Sequence, residues 1–186
     1  MKRIIFTSII MMFVVAAFSQ QIYNIKVSDR QDGTFEQYYG TVKVTGNILN
    51  GMKEGSWVEN HPNSELPHFI IQYKEGKKDG LYLEFDKQGN IVKKVDYKND
   101  MIDGMSHVWR KGGMLSVKQE YKAGQLHGLS MIYTDKGFIQ EESVYKEGKR
   151  DGMTIWYSYA DKQQGPKYVM YTYKDGLFEG VQETYY

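Results

Sequence analysis

The chain has 186 residues and a formal net charge of +1 at pH 7, and its length suits a single domain. The near-neutral charge argues against a nucleic-acid-binding protein, which is normally basic. The absence of cysteine excludes disulfides, thiolate metal sites and cysteine nucleophiles. Its 16 tyrosines are more than an ordinary core uses, and with 19 glycines they favour aromatic-bearing strands joined by turns.

The first residues have the layout of a secretory signal peptide. Lys2 and Arg3 are basic, and an apolar run broken only by Thr7 and Ser8 ends near the small residues Ala17 and Ser19. This order predicts a signal peptide over residues 1–19, cleaved after Ser19. The run is shorter than the roughly 20 residues of a spanning helix, which favours cleavage over a membrane anchor. We therefore expect an exported protein, either periplasmic or secreted.

Residues 20–45 are predicted to form an N-terminal β capping segment. A strand-like run extends from Ile22 to Val27, and Asp32-Gly33 indicates a turn. Val42 and Val44 then alternate in a second strand-like run. Terminal units of a repeat array are often atypical because they cover an open end of the stack.

Residues 46–186 contain about five and a half copies of a repeat of about 24 residues. Each full copy carries the octet Y-K-x-x-x-x-x-G, and a period of this kind indicates a repeat architecture. The octets begin at Tyr73, Tyr97, Tyr121, Tyr145 and Tyr173 and end at Gly80, Gly104, Gly128, Gly152 and Gly180. We interpret these ten positions as structural. The tyrosine covers the glycine of its octet across the connection, and the glycine permits the turn.

The residues after each octet predict a β-hairpin. Apolar residues alternate, as in Leu81, Leu83 and Phe85, and a glycine-ended turn leads to a strand with one polar face. The fold class predicted is all-β: an elongated, single-layer antiparallel meander of repeated hairpins after an N-terminal signal peptide. The first apolar position of each hairpin is expected to fill the space between tyrosines: Leu81, Met105, Leu129 and Met153. Four additional residues in the fifth unit predict a longer loop at 158–165.

The octet and its hairpin resemble the MORN repeat, and more closely the bacterial variant MORN repeat that is often described as a toxin–antitoxin antitoxin component. Residues 73–80 and the copies that follow carry the resemblance, with Asp100 standing where the copy at Tyr97 would have its first glycine. The resemblance implies an elongated sheet of hairpins without catalytic residues. It also implies a scaffold that binds proteins or associates with membranes.

No catalytic, cofactor-binding or metal-binding residue is predicted. The four histidines lack the spacing of a zinc site, and His107 is interpreted as a packed residue. Acidic residues are spread along the turns rather than gathered as an acid–base pair. We expect a protein that is not an enzyme and needs no cofactor.

Two ladders are candidates for binding. Aromatic residues near the hairpin tips could line a groove for a peptide or a glycan: Phe85, Trp109, Tyr133 and Tyr157, together with Trp57 and Trp156. Lysines recur at the second octet position and would form a basic row: Lys74, Lys98, Lys122, Lys146 and Lys174. Packing within the layer and protection of an edge are the structural alternatives.

Three hypotheses about function follow. The first is an exported, non-catalytic repeat scaffold that binds a protein or an envelope polymer. The second is an immunity or antitoxin-like protein that neutralises a toxin in the exported compartment, and the third is membrane-surface association through the lysine row. Nucleic acid is not an expected partner. The aromatic C-terminal strand at Tyr185-Tyr186 predicts self-association through an open edge.

Overall fold

The computed structural model describes residues 21–160, 163–180 and 183–184. The predicted signal peptide and Tyr185-Tyr186 lie outside the described residues. The elements are α1 (Gln21–Asn24), β1 (Gly33–Tyr39), β2 (Val42–Leu49), β3 (Met52–Asn60), β4 (Pro67–Lys74), β5 (Lys77–Phe85), β6 (Ile91–Lys98), β7 (Met101–Trp109), β8 (Leu115–Lys122), β9 (Gln125–Tyr133), β10 (Ile139–Lys146), β11 (Lys149–Ala160), β12 (Gln163–Lys174), β13 (Leu177–Phe178) and β14 (Glu183–Thr184).

The strands form one open antiparallel sheet, which confirms the predicted all-β hairpin meander. Consecutive strands are neighbours from β1 to β13, and β14 pairs with β12 beside β13. The expected strand at Ile22–Val27 is wrong, because residues 21–24 form a single helical turn. No helix in the described part of the chain is long and apolar enough to cross a membrane.

The octet closes a two-residue hairpin turn at its third and fourth positions. Glu75 and Gly76 both have positive φ, at 50° and 78°, the backbone that matches the twist of two antiparallel strands. The last glycine of the octet was expected in this turn, but it lies inside the following strand. Gly128, for example, belongs to β9 and has a φ of 104°.

The last glycine instead sits in a β-bulge. Gln119 pairs with Ser130 and Tyr121 with Leu126, so three residues around Gly128 face one residue of β8. The φ of 104° favours glycine here, and a Cβ on Gly128 would also displace the carboxylate of Glu120. On the neighbouring strand β10, Gly128 pairs with Tyr145, which is the tyrosine of the following octet. The predicted tyrosine–glycine contact therefore links neighbouring units rather than the two ends of one octet.

The bulges also overturn the predicted division of the two faces. Leu81 pairs with Asp96 and Leu83 with Lys94, so the apolar and charged residues lie opposite each other on the same face. The spaces between tyrosines are filled from the next position along each strand: Tyr82, Ser106, Ser130 and Thr154, all buried. A shift of one residue moves every side chain to the other face, and alternation alone cannot reveal it.

We call the two sides the core face and the ladder face. The core face carries a cluster around Phe35, Trp57 and Ile71, which residues 22–27 cover. Ile22 is fully buried there; its N–H donates to Glu59, and its carbonyl accepts from Lys53. Beyond Val95 the centre of this face becomes hydroxylic, with Ser130, Ser143 and Thr154 buried between larger side chains. The ladder face is the opposite side, which carries Leu81 and Leu83.

The additional residues of the fifth unit lengthen its strands rather than its loop. The strands β11 and β12 each contain 12 residues, against eight or nine in most other strands. Tyr159 pairs with Gln164 and Ala160 with Gln163. The longer loop predicted at 158–165 is therefore wrong, because most of these residues extend the hairpin.

Candidate functional site

Four aromatic residues form one row on the ladder face, near the edge opposite the octet turns. We call Phe85, Trp109, Tyr133 and Tyr157 the aromatic ladder; each is half-buried. Phe85, Trp109 and Tyr133 end β5, β7 and β9, and Tyr157 lies three residues before the end of β11. The aliphatic residues Ile91, Leu115 and Ile139 pair with the first three from the strands between. The row is therefore apolar along its length, with rings two strands apart.

His107 supports the Trp109 rung of the ladder. The two rings stack at 5.6 Å between centroids with an interplanar angle of 17°. Burial lowers the pKa of His107, and Lys118 and Lys94, its partners on the flanking strands, lower it further. The ring is therefore neutral at pH 7, and its Nδ1 is buried without a hydrogen-bond partner. This outcome agrees with the interpretation of His107 as a packed residue.

Glu142 gives the far end of the ladder a polar character. Its Oε2 accepts a hydrogen bond of 2.9 Å from the Tyr157 hydroxyl. Burial first, and then Glu142, raises the pKa of Tyr157 to about 12, so this hydroxyl stays a donor at neutral pH. The Tyr133 hydroxyl donates to the sulfur of Met131 at 3.4 Å. The Phe85 rung has no such polar atom.

The backbone behind the ladder is tied between units. Arg110 donates to the carbonyls of Thr134 at 2.6 Å and Tyr133 at 3.0 Å, and so joins the Trp109 rung to the next one. His61 contacts the Phe85 carbonyl in a similar way, at 3.1 Å from its Nε2. Arg110 therefore ties the second rung to the third, and His61 ties the first rung to the preceding unit.

An apolar depression continues from the ladder into the middle of the same face. Met105, Leu129 and Met131 line it with Lys118 and Glu120, around a volume of about 240 Å³. Leu129 is 42% exposed, and the nearby Val144 and Met153 are 37% and 48% exposed. The ladder face therefore offers apolar strands separated by charged ones.

The two remaining aromatic candidates do not belong to this row. Trp57 is fully buried on the core face and packs 5.0 Å from Phe35, so its predicted place in an exposed groove is wrong. Trp156 also lies on the core face, opposite Glu141, because it pairs with Val169 and Glu141. Trp156 directly precedes Tyr157, so strand alternation turns it to the opposite face, and Trp57 holds the register position of Tyr82, since both pair with Ile71.

Sequence reasoning missed a cluster around Arg150 on the core face. Its guanidinium pairs with Glu141 at 2.7 Å and lies within 6 Å of the rings of Tyr145, Trp156 and Tyr173. The pair joins β10 to β11, and Ser143 donates to the same carboxylate at 2.6 Å. Only the register, which brings Glu141 beside Arg150, could have shown it.

The lysine row exists, but its charge is not isolated. All five lysines end their strands at the octet edge and are exposed. Lys174 forms an ion pair of 3.1 Å with Asp151, and the turns beside the row carry Glu75, Asp100 and Glu147. This mixture of charges supplies little attraction for an anionic surface.

Within the described residues, no group of three His, Asp or Glu side chains could hold a metal ion. No family model matches the chain, and no curated protein is similar enough to count as a relative. The MORN resemblance therefore stays an interpretation of the repeat, and the ladder is the candidate site on geometry alone.

Proposed function

We propose that this protein is an exported, non-catalytic scaffold that binds an extended protein segment along its aromatic ladder. The observation that carries the proposal is the continuous apolar row of Phe85, Trp109, Tyr133 and Tyr157 with its aliphatic neighbours. A soluble protein rarely leaves such a row uncovered unless a partner binds there. The rungs are held by contacts between units, so the surface is formed before a partner arrives.

The spacing of the rungs favours one conformation of that segment. Neighbouring strands lie about 4.8 Å apart, so rungs on alternate strands repeat at about 9.6 Å. A polyproline II helix repeats every three residues, or about 9.3 Å. Aromatic-lined grooves bind such segments because the ligand is already extended and loses little entropy. An apolar residue or proline at every third position would therefore meet successive rungs.

Export rests on the predicted signal peptide and not on the fold. N-terminal sequencing of the protein recovered from its native compartment tests this part. A mature chain that begins at Gln20 supports export, and an intact Met1 in the cytoplasm contradicts it.

Binding is tested with peptide arrays that sample proline-rich and other extended sequences, followed by titration of the purified protein. Trp109→Ala and Tyr133→Ala should each weaken a bound peptide on the order of tenfold or more, as expected for central aromatic contacts. Phe178→Ala is the matched control, because Phe178 is 55% exposed and lies on the core face. Equal losses from all three variants would contradict the proposal. If the protein binds envelope glycans and not peptides, its ligand is a glycan and not an extended protein segment.

A further inference from the structure

The strand at the N-terminal edge of the sheet differs from all others in its regularity. The pairing of β1 with β2 comprises seven consecutive residue pairs without a register shift. Every other strand pairing of more than two residue pairs within the described residues contains a register shift. Edge strands are normally the ones interrupted by bulges, because a regular edge invites pairing with another chain.

The sequence of β1 also lacks two common protections of an edge, although the Arg30 side chain reaches this strand and donates to the Oε1 of Gln37 at 2.7 Å. It contains neither proline nor lysine, and its single charge, Glu36, pairs with Lys43 of β2 at 3.4 Å. The β1–β2 hairpin closes through Gly40 and Thr41, which makes Tyr39 and Val42 a hydrogen-bonded pair. Hydrogen bonding alternates along a strand, so the N–H and C=O groups of Thr34, Glu36 and Tyr38 point away from the sheet.

We infer that β1 pairs with β1 of a second copy of this chain, antiparallel and about a two-fold axis. A two-fold axis perpendicular to the sheet keeps the core faces of both copies on the same side, so two residues that oppose each other must lie on the same face. Centring the axis on Glu36 would oppose two like charges, which disfavours that register. Centring it on Gln37 places Glu36 opposite the second copy's Tyr38 and Phe35 opposite its Tyr39. This register gives an aromatic pair next to the existing core.

The absence of cysteine makes this register directly testable. Gln37 would face its own copy in a non-hydrogen-bonded pair, where Cα atoms lie about 4.5 Å apart and a disulfide can form. Under mild oxidation Gln37→Cys should become a covalent dimer, and Thr34→Cys should not. A register centred elsewhere on β1 gives no crosslink at position 37 and overturns the proposed pairing.

Edge pairing itself is tested by sedimentation of the purified protein over a wide range of concentration. The wild type should dimerise, Glu36→Pro should lose the dimer, and Glu36→Ala should retain it. Both variants remove the ion pair to Lys43, but only proline removes the outward N–H. A monomeric wild type, an equal effect of both variants, or open-ended oligomers would each overturn the inference. Should the proline variant unfold, the cysteine result decides alone.

Discussion

Substitution of Gly46 by alanine is the sharpest test of the core packing. Gly46 has an ordinary negative φ, and Phe35 pairs with it from β1. A Cβ there would lie 2.2 Å from the Cδ2 and 2.4 Å from the Cε2 of Trp57. The ring would have to move by about 1.3 Å to reach ordinary carbon contact. It has no room for this, because Trp57 is fully buried and packs against Phe35 and Tyr73.

The expected cost of Gly46→Ala is about 2–4 kcal/mol in the free energy of unfolding. Overpacking supplies about 1–3 kcal/mol. Displacement of the ring adds about 1 kcal/mol by breaking the hydrogen bond from Trp57 Nε1 to the Asn47 carbonyl, now 3.1 Å. Urea titration followed by tryptophan fluorescence measures the loss. In a Trp57→Leu background the same substitution should cost less than about 1 kcal/mol, because the clash is gone.

The control for this experiment is Gly55→Ala. Gly55 has a φ of 67° and nothing near its Cβ position, so alanine should cost only the left-handed backbone penalty of about 1–2 kcal/mol. If Gly46→Ala costs no more than Gly55→Ala, or costs the same with and without Trp57, the proposed contact between ring and glycine does not hold.

Three further predictions concern pH, a turn and an ion pair. Burial first, and then His61, lowers the pKa of His68 to about 4, so the unfolded chain binds this proton more tightly. The contribution of His68 to the free energy of unfolding should therefore be fully present above pH 6.5 and fall by about 1–2 kcal/mol towards pH 4. The loss is less than the whole pKa shift would give, because His68 is partly exposed. Urea midpoints measured across this pH range should show a smaller loss in His68→Phe. The Ala123 N–H donates to the Asp103 carboxylate at 3.0 Å. Asp103→Ala removes this acceptor and should lower the free energy of unfolding by about 1 kcal/mol, whereas Asp103→Asn should lower it by less. Arg150→Met should cost about 2–3 kcal/mol because it leaves the mostly buried Glu141 unpaired, and adding Glu141→Gln should recover part of the loss in thermal unfolding.

The repeat could be predicted from sequence, and the two faces could not. Glycines at fixed spacing and the absence of a helical period were enough to give the hairpin meander. The bulge at each last glycine adds residues to one strand, so Leu81 and Met105 leave the core face where alternation had placed them. Trp57 and Trp156 stand apart from the ladder for a different reason, because each occupies a core-face position of its strand. The contact between Arg150 and Glu141 depends on register and has no sequence signal.

The two edges of the sheet use their residues differently. At the octet edge each turn hydrogen-bonds to the preceding unit, as in Gly124 N–H to the Ile102 carbonyl at 2.8 Å and Gly148 N–H to the Leu126 carbonyl at 2.9 Å. These positions repeat because each unit needs the same bonds. The ladder is under no such requirement, and its rungs change from phenylalanine to tryptophan to tyrosine. Under the proposed function, differences between units therefore matter at the ladder more than at the octet edge.

The two ends of the ladder differ chemically, so a bound segment should prefer one chain direction. Phe85 presents only carbon at one end, whereas at the other end Tyr157 presents a hydroxyl whose hydrogen is donated to the Glu142 carboxylate. A peptide whose polar or basic residue reaches Glu142 gains a charge-assisted hydrogen bond of about 1.5–3 kcal/mol, and a peptide of reversed sequence loses it. The reversed peptide should therefore bind about 10- to 150-fold more weakly. Titration against wild type and Glu142→Gln measures this, with the difference between the two peptides shrinking in the variant. Equal affinity of both peptides for the wild type would show that the ladder does not fix a direction.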